Sequence, residues 1–294
     1  MATRIRAGIG GWTYAPWRGL FYPKGLPQAK ELAYASEQLS AIEINATFYR
    51  GFPRTSFAQW RDAAPDGFVF SLKAPRFATH RRELATAAEP VERLVGSVTA
   101  LGAALGPIVW QLAPTKQFDA ADMAGFLALL PHEADGLTIR HAIDARHASF
   151  ATPEFVALAR KHAVAIVYTE DDEVPAIPAV TADFVYLRLR RARSNVKTGY
   201  PEAELKTWAK RAEAWRSGGQ PADVKHPAPR RRARHATCSC TSSTAPRSGR
   251  RRQRSGSSSS SAEVSRRPSC HPERSESAAK DPGVAAPDIP RCAR

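Results

Sequence analysis

Glu43 and Asn45 stand two residues apart at the end of an apolar run, so on an extended chain both face the same side. The spacing recurs at Asp144 and Arg146, and again at Tyr186, Arg188 and Arg190. Lys73 and Gln111 each close a further apolar run, and Glu170-Asp171-Asp172 follows another. These residue types suit acid–base and anion chemistry. Glu43 or Asp144 can act as a general base. Lys73, Arg146 and Arg188 can hold a phosphate or carboxylate. Asn45, Gln111 and Tyr186 can orient a substrate, and Tyr49 can stack on a sugar or base. His147, just past the Asp144 run, can exchange a proton; His80, after Thr79, can bind an anion.

Each assignment has a structural alternative. Glu43 and Lys73 can pair with each other across neighbouring strands. Asp144 and Arg146 can form an internal ion pair. Asn45 and Gln111 can satisfy hydrogen bonds within a barrel, and His80 and His147 can support loops. Trp12, Tyr14, Trp17, Phe48 and Tyr49 can pack in the core and rim. Polar groups at six successive strand ends still argue for a site, because apolar ends would stabilise a core better.

The elements that carry these residues alternate strand and helix. Strands are expected at Ile5–Gly10, Ala41–Asn45, Phe68–Lys73, Ile108–Leu112, His141–Ala145, Ala165–Thr169 and Phe184–Leu189. Several are nearly continuous apolar runs, as in parallel strands covered on both faces. Helical stripes run over Ala120–Leu130, Pro153–His162 and Glu202–Trp215. Seven such units predict an α/β fold of the TIM-like (β/α)8 type. A doubly wound open sheet is the alternative. Against it, Gly8-Ile9-Gly10-Gly11 runs into Trp12 with no G-x-G-x-x-G loop.

Composition divides the chain of 294 residues. All 6 Trp, 7 Tyr and 12 Phe lie at or before Trp215, and all 4 Cys lie after it. Residues 1–220 hold 27 Lys and Arg against 22 Asp and Glu; residues 221–294 hold 16 against 6. The pI near 10.1 therefore reflects the last quarter and does not mark the folded part as a nucleic-acid binder. That quarter has no Leu, Phe, Tyr, Trp or Met and is rich in Arg, Ser, Ala and Pro. It cannot bury enough apolar surface to offset chain ordering, so residues 217–294 are expected to be a disordered basic tail after a barrel at 1–216. Arginine outnumbers lysine there 14 to 2, a bias that fits translation of a GC-rich gene out of frame.

Several classes are excluded by motif. There is no Walker loop, no G-x-S-x-G elbow, no H-x-H or H-E-x-x-H, and no cysteine nucleophile before the tail. The cofactor is therefore unknown; a divalent metal at Glu43, His80, Asp144 and His147 is not favoured. Met1–Trp12 lacks an apolar run of signal length, and Ala100–Ala113 is too short to span a membrane. The cytoplasm is the expected location.

Six motifs in order resemble one family. They are Gly10-Gly11-Trp12-Thr13-Tyr14 with Trp17-Arg18-Gly19 and Phe21-Tyr22-Pro23; Ile42 to Tyr49; Lys73-Ala74-Pro75-Arg76 with Thr79-His80; Gln111-Leu112-Ala113-Pro114; Asp144-Ala145-Arg146-His147; and Ala182 to Leu189. Together they resemble domain of unknown function 72, the YecE-like proteins, over residues 5 to about 215. The resemblance implies a TIM-like barrel and leaves the activity open. This chain departs from the pattern at Asp144, where Glu is usual, at Ala148 and Phe150, and at Arg190-Arg191. The eighth-strand segment is also missing, which a frameshift near residues 217–227 explains.

The leading functional expectation is an enzyme acting on a small phosphorylated, sugar-like or nucleotide substrate at the C-terminal rim of the barrel. Lys73, Arg146 and Arg188 would hold the anion, with Glu43 or Asp144 as base. The alternatives are a nucleic-acid-binding or repair-related barrel, a non-enzymatic binding scaffold, and a truncated product without function.

Overall fold

The structure, a computed structural model, describes residues 4–193, 195–196 and 199–224, and the backbone of Thr237–Ser242. Eight parallel strands close into a barrel. They are β1 (Ile5–Gly10), β2 (Ala41–Ile44), β3 (Val69–Lys73), β4 (Leu105–Gln111), β5 (His141–Asp144), β6 (Ala165–Glu170), β7 (Phe184–Leu189) and β8 (Thr237–Ser242). Each pairs with the next, and β8 pairs with β1.

The helices of eight or more residues between the strands are α1 (Glu31–Gln38), α2 (Arg54–Asp62), α3 (Ala88–Val98), α4 (Ala120–Ala128), α5 (Pro153–Lys161) and α6 (Glu202–Arg216). Caps fix two of the starts. Asp119 accepts a hydrogen bond from the Asp122 amide at 2.8 Å ahead of α4, and Thr152 accepts one from Phe155 at 3.2 Å ahead of α5. The chain passes from β6 to β7 with no helix between them.

Strand alternation sorts the side chains into two cores. On β4–β7 the outward residues Ile108, Trp110, Ile143 and Ile166 pack under the helices, while Val185 and Leu187 pack on Trp208 and Trp215 of α6. The inward residues Val109, Ala142, Ala165, Val167, Phe184 and Tyr186 form a separate apolar cluster that fills the barrel. One step further along the same inward rows come Gln111, Asp144, Thr169 and Arg188. The barrel interior thus changes from apolar to charged at the C-terminal ends of its strands. Gly8 lets β1 and β2 meet: a Cβ there would lie 2.0 Å from the Ala41 carbonyl oxygen.

The seven strands expected from the sequence are present, with ends shifted by at most three residues. Sequence reasoning provides no eighth, and the place between β7 and β1 is taken by Thr237–Ser242, beyond the boundary drawn at residue 216. Closure requires only backbone: Cys238 registers with Ile5 on one side and Val185 on the other. A search for apolar runs passes over Thr-Cys-Ser-Cys-Thr-Ser, yet this segment ends both open edges. Of the disordered tail expected at 217–294, residues 225–236 and 243–294 lie outside the described residues.

Candidate functional site at the barrel mouth

Arg188 is the centre of the mouth. It is 3% exposed, and its guanidinium lies between two buried carboxylates, Glu43 of β2 and Asp144 of β5. Nη2 donates to Glu43 Oε1, and Nε donates to Oε2 at 3.2 Å. Nη1 donates to Asp144 Oδ2 and, at 3.0 Å, to Gln111 Oε1. Burial by itself would lower the Arg188 pKa; Glu43 and Asp144 outweigh it and hold the group charged.

Arg146 completes the second half of the network. Its Nη2 donates to Asp144 Oδ2 at 2.7 Å and to Gln111 Oε1 at 3.0 Å, and its Nε reaches Asp144 Oδ2 at 3.2 Å. Thr169 Oγ1 donates to the other Asp144 oxygen at 3.2 Å. Burial would raise the Asp144 carboxyl, but Arg188 and Arg146 hold it below the usual range. Below Glu43, the Tyr186 hydroxyl donates to Oε2 at 2.6 Å and lies 2.9 Å from Ser71 Oγ. Burial, then the Glu43 charge, push the Tyr186 pKa well up, so it stays a donor.

Lys73 stands apart from this network. Ser71 faces the barrel interior, and Lys73, two residues on, points the same way at the mouth. Its Nζ lies 4.1 Å from the centre of the Phe48 ring. Among the described residues no carboxylate comes within 4 Å of it; Glu43 is taken by Arg188 instead. Burial, then the like charge of Arg188, bring its pKa from 10.5 down to about 8; Arg146 adds to this, while Glu43 and Asp144 oppose it. The Glu43–Lys73 pair considered from sequence is therefore not formed. The Asp144–Arg146 pair is formed.

The remaining candidates lie around the rim. Asn45 and the Tyr14 hydroxyl meet beside the mouth, and Tyr14 donates to the Gly10 carbonyl. Tyr49 is 66% exposed and packs edge-on against Phe48 at 5.1 Å. His80 also packs edge-on against Phe48 at 5.4 Å, with Nδ1 3.1 Å from Thr79 Oγ1. Burial, then Lys73 and Arg76, lower its pKa. His147 makes no bond to the network among the described residues. Its Nδ1 lies 2.8 Å from Ser149 Oγ and accepts from the Ser149 amide at 3.2 Å, capping the turn Ala148–Phe150.

Sequence reasoning did not single out Thr169 and Ser71. Both sit on the inward row of a strand, and that parity is the signal that finds them. No group of three His, Cys, Asp or Glu among the described residues is placed to hold a metal ion. No helix among them is long and apolar enough to cross a membrane.

Fold and site together define a closed parallel β/α barrel with a buried carboxylate–guanidinium network at its C-terminal mouth. The chain belongs to the family described as "Protein of unknown function DUF72", which matches residues 6–242 and so runs to the last residue of β8. Two solved structures of that family share the fold. A DUF72 family protein from Thermotoga maritima MSB8 is 20% identical, with a TM-score of 0.62, over 82% of this chain and 92% of that one. A DUF72 family protein from Enterococcus faecalis V583 is 16% identical, with a TM-score of 0.57, over 82% and 90%. No curated protein matches this chain.

Proposed function

We propose that the barrel mouth binds a small anionic substrate and that the chain is an enzyme acting on it. One observation carries the reading: Lys73 is a partly buried cation with no carboxylate partner among the described residues. Among the described residues, Lys73, Arg146 and Arg188 face two carboxylates, Glu43 and Asp144, while Arg190 beside them pairs with Asp171 at 3.1 Å, so one positive charge awaits an anion. Arg146 adds a donor, because its Nη1 makes no hydrogen bond to any described residue. A phosphate or carboxylate between Lys73 and Arg146 would recover the cost of keeping an ammonium in a half-desolvated mouth. Tyr49, exposed beside Phe48, offers a face for a sugar ring or base.

The reading redistributes the roles expected from sequence. Every carboxylate oxygen of Glu43 and Asp144 accepts a hydrogen bond already, and Asp144 is held ionised, so in this arrangement both position Arg188 and Arg146. Lys73, by contrast, has its pKa brought down to about 8. The test is calorimetric titration with inorganic phosphate and ribose 5-phosphate, comparing the protein with Lys73→Met. The reading expects affinity to fall at least tenfold in the variant, about 1.4 kcal/mol. Equal affinity in the two, or no phosphate binding at low salt, would overturn it.

A further inference from the structure

Lys73 differs in its surroundings from Lys116, Lys206, Lys24 and Lys161. Lys116 pairs with Asp122 at 2.6 Å and Lys206 with Glu202 at 2.7 Å, while Lys24 and Lys161 point into solvent. Lys73 instead lies over an aromatic face, at the open end of a barrel, with two guanidinium groups nearby and no acid of its own. An anion site needs charge alone, and arginine provides that with better geometry, as Arg146 and Arg188 do here. A lysine adds what arginine cannot: an amine that can lose its proton and become a nucleophile.

We propose that Lys73 is an imine-forming lysine, condensing with the carbonyl group of a small oxo compound whose carboxylate or phosphate is held by Arg146. The substrate class rests on the anion-binding reading above and narrows it to carbonyl compounds. In the step, the neutral Lys73 amine adds to the carbonyl carbon and a C–N bond forms. The carbonyl π bond opens to a hydroxyl, and a proton passes from nitrogen to that oxygen. Loss of water then gives the C=N bond. No oxidant or reductant is consumed.

The surroundings suit each part of this step. Burial and the like charges of Arg188 and Arg146 leave about one amine in ten unprotonated at pH 7, against about one in three thousand at the usual value. Glu43 on β2, Asp144 and Arg146 at the end of β5, and Arg188 on β7 are the charged groups that face it. Glu43 and Asp144 are fully engaged and do not neutralise it. His80 packs on the same Phe48 ring as Lys73, and burial, then Lys73 and Arg76, lower its pKa. The apolar Phe48 face shields one side of the amine from water.

The experiment uses the full chain at pH 7.5 with sodium cyanoborohydride, which reduces an imine to a stable amine. The probes are pyruvate and glycolaldehyde phosphate, with neutral glycolaldehyde as comparison, and the modified lysines are found by peptide mass spectrometry. Lys73 is expected to be labelled at least tenfold faster than Lys24 and Lys161 by one of the anionic probes. Excess inorganic phosphate should slow that labelling, and whichever probe reacts distinguishes a carboxylate from a phosphate substrate. Lys73→Arg should remove the label, with its melting temperature confirming the fold. Labelling of Lys73 no faster than Lys24 would overturn the inference. If phosphate still binds in that case, the anion-binding reading stands without it. If neutral glycolaldehyde labels Lys73 as fast as its phosphate and phosphate does not compete, the amine chemistry stands and the anion-binding reading falls.

Discussion

Arg188 on β7 grips both carboxylate oxygens of Glu43 on β2, reaching past the two intervening strands β8 and β1. The pair joins residues 145 apart in sequence and ties one side of the barrel mouth to the other. With Asp144 on its far side, the Arg188 guanidinium is the only described group that binds both carboxylates directly.

Removal of that cation should be costly. Arg188→Met leaves Glu43 and Asp144 buried with less compensation, and breaking such a buried pair costs about 3–5 kcal/mol. For a domain of this size the melting temperature should fall by roughly 10 °C. Arg188→Lys, which keeps the charge and loses the planar fork, should fall part of the way. Thermal unfolding of the three proteins at pH 7 checks this; a change under about 2 °C for Arg188→Met would show that the network contributes little.

Much of this mouth is legible in the sequence, through one rule. Two-residue spacing brings Asp144 with Arg146 and Tyr186 with Arg188 to the mouth, and Glu43 is there too, whereas Asn45 leaves the strand in helical backbone and meets Tyr14 at the rim. The pairing is not legible. Lys73 lies on the strand next to Glu43 and so offers itself as its partner, whereas Arg188 is the one long enough and placed to cross the mouth. His147 reads as an acid–base group by type, and only the fold shows its Nδ1 spent on Ser149. Helices α1, α2 and α3 leave a weaker signal: α1 buries Glu31 and Ser36 beside Leu32 and Ala35, α2 buries only Phe57 and Trp60, and α3 carries Pro90 in its first turn. Strand β8 relies on backbone pairing that leaves no hydrophobic pattern.

The closing strand gives a second prediction. Truncation after Ser242 should leave the melting temperature and phosphate affinity unchanged. Truncation after Val224 removes β8, and the edges of β1 and β7 then lose their partners. Each buried N–H or C=O left unpaired costs about 1–3 kcal/mol against a total stability of about 5–15 kcal/mol. The shorter protein should bind a dye for exposed apolar surface and unfold without a cooperative transition. A sharp transition in it would show that seven strands suffice.

A third prediction concerns His141, buried at the start of β5. Its Nδ1 accepts from Trp110 Nε1 at 3.1 Å, and its Nε2 lies 2.8 Å from the Pro131 carbonyl oxygen. Burial pulls its pKa down from 6.5 to about 4. The unfolded chain takes up a proton as pH falls through 6.5, while the folded one resists until about 4. The stability from the neutral ring is therefore full above pH 6.5 and is lost as pH falls towards 4. Between pH 7 and 5 this amounts to about 2 kcal/mol. His141→Gln should be less stable than the parent at pH 7, with the gap narrowing by that amount at pH 5. Denaturant unfolding at both values checks it, and a gap independent of pH would contradict it.

On the proposed function, Lys73 is a partly desolvated cation that takes up an anion. Its titration can be followed directly by NMR on protein carrying isotope-labelled lysine, with the resonance assigned through Lys73→Arg. The account predicts a midpoint of about 8 in the free protein, rising by at least one pH unit in saturating inorganic phosphate, because the bound anion favours the charged amine. A midpoint at the ordinary lysine value of about 10.4, unmoved by phosphate, would contradict it.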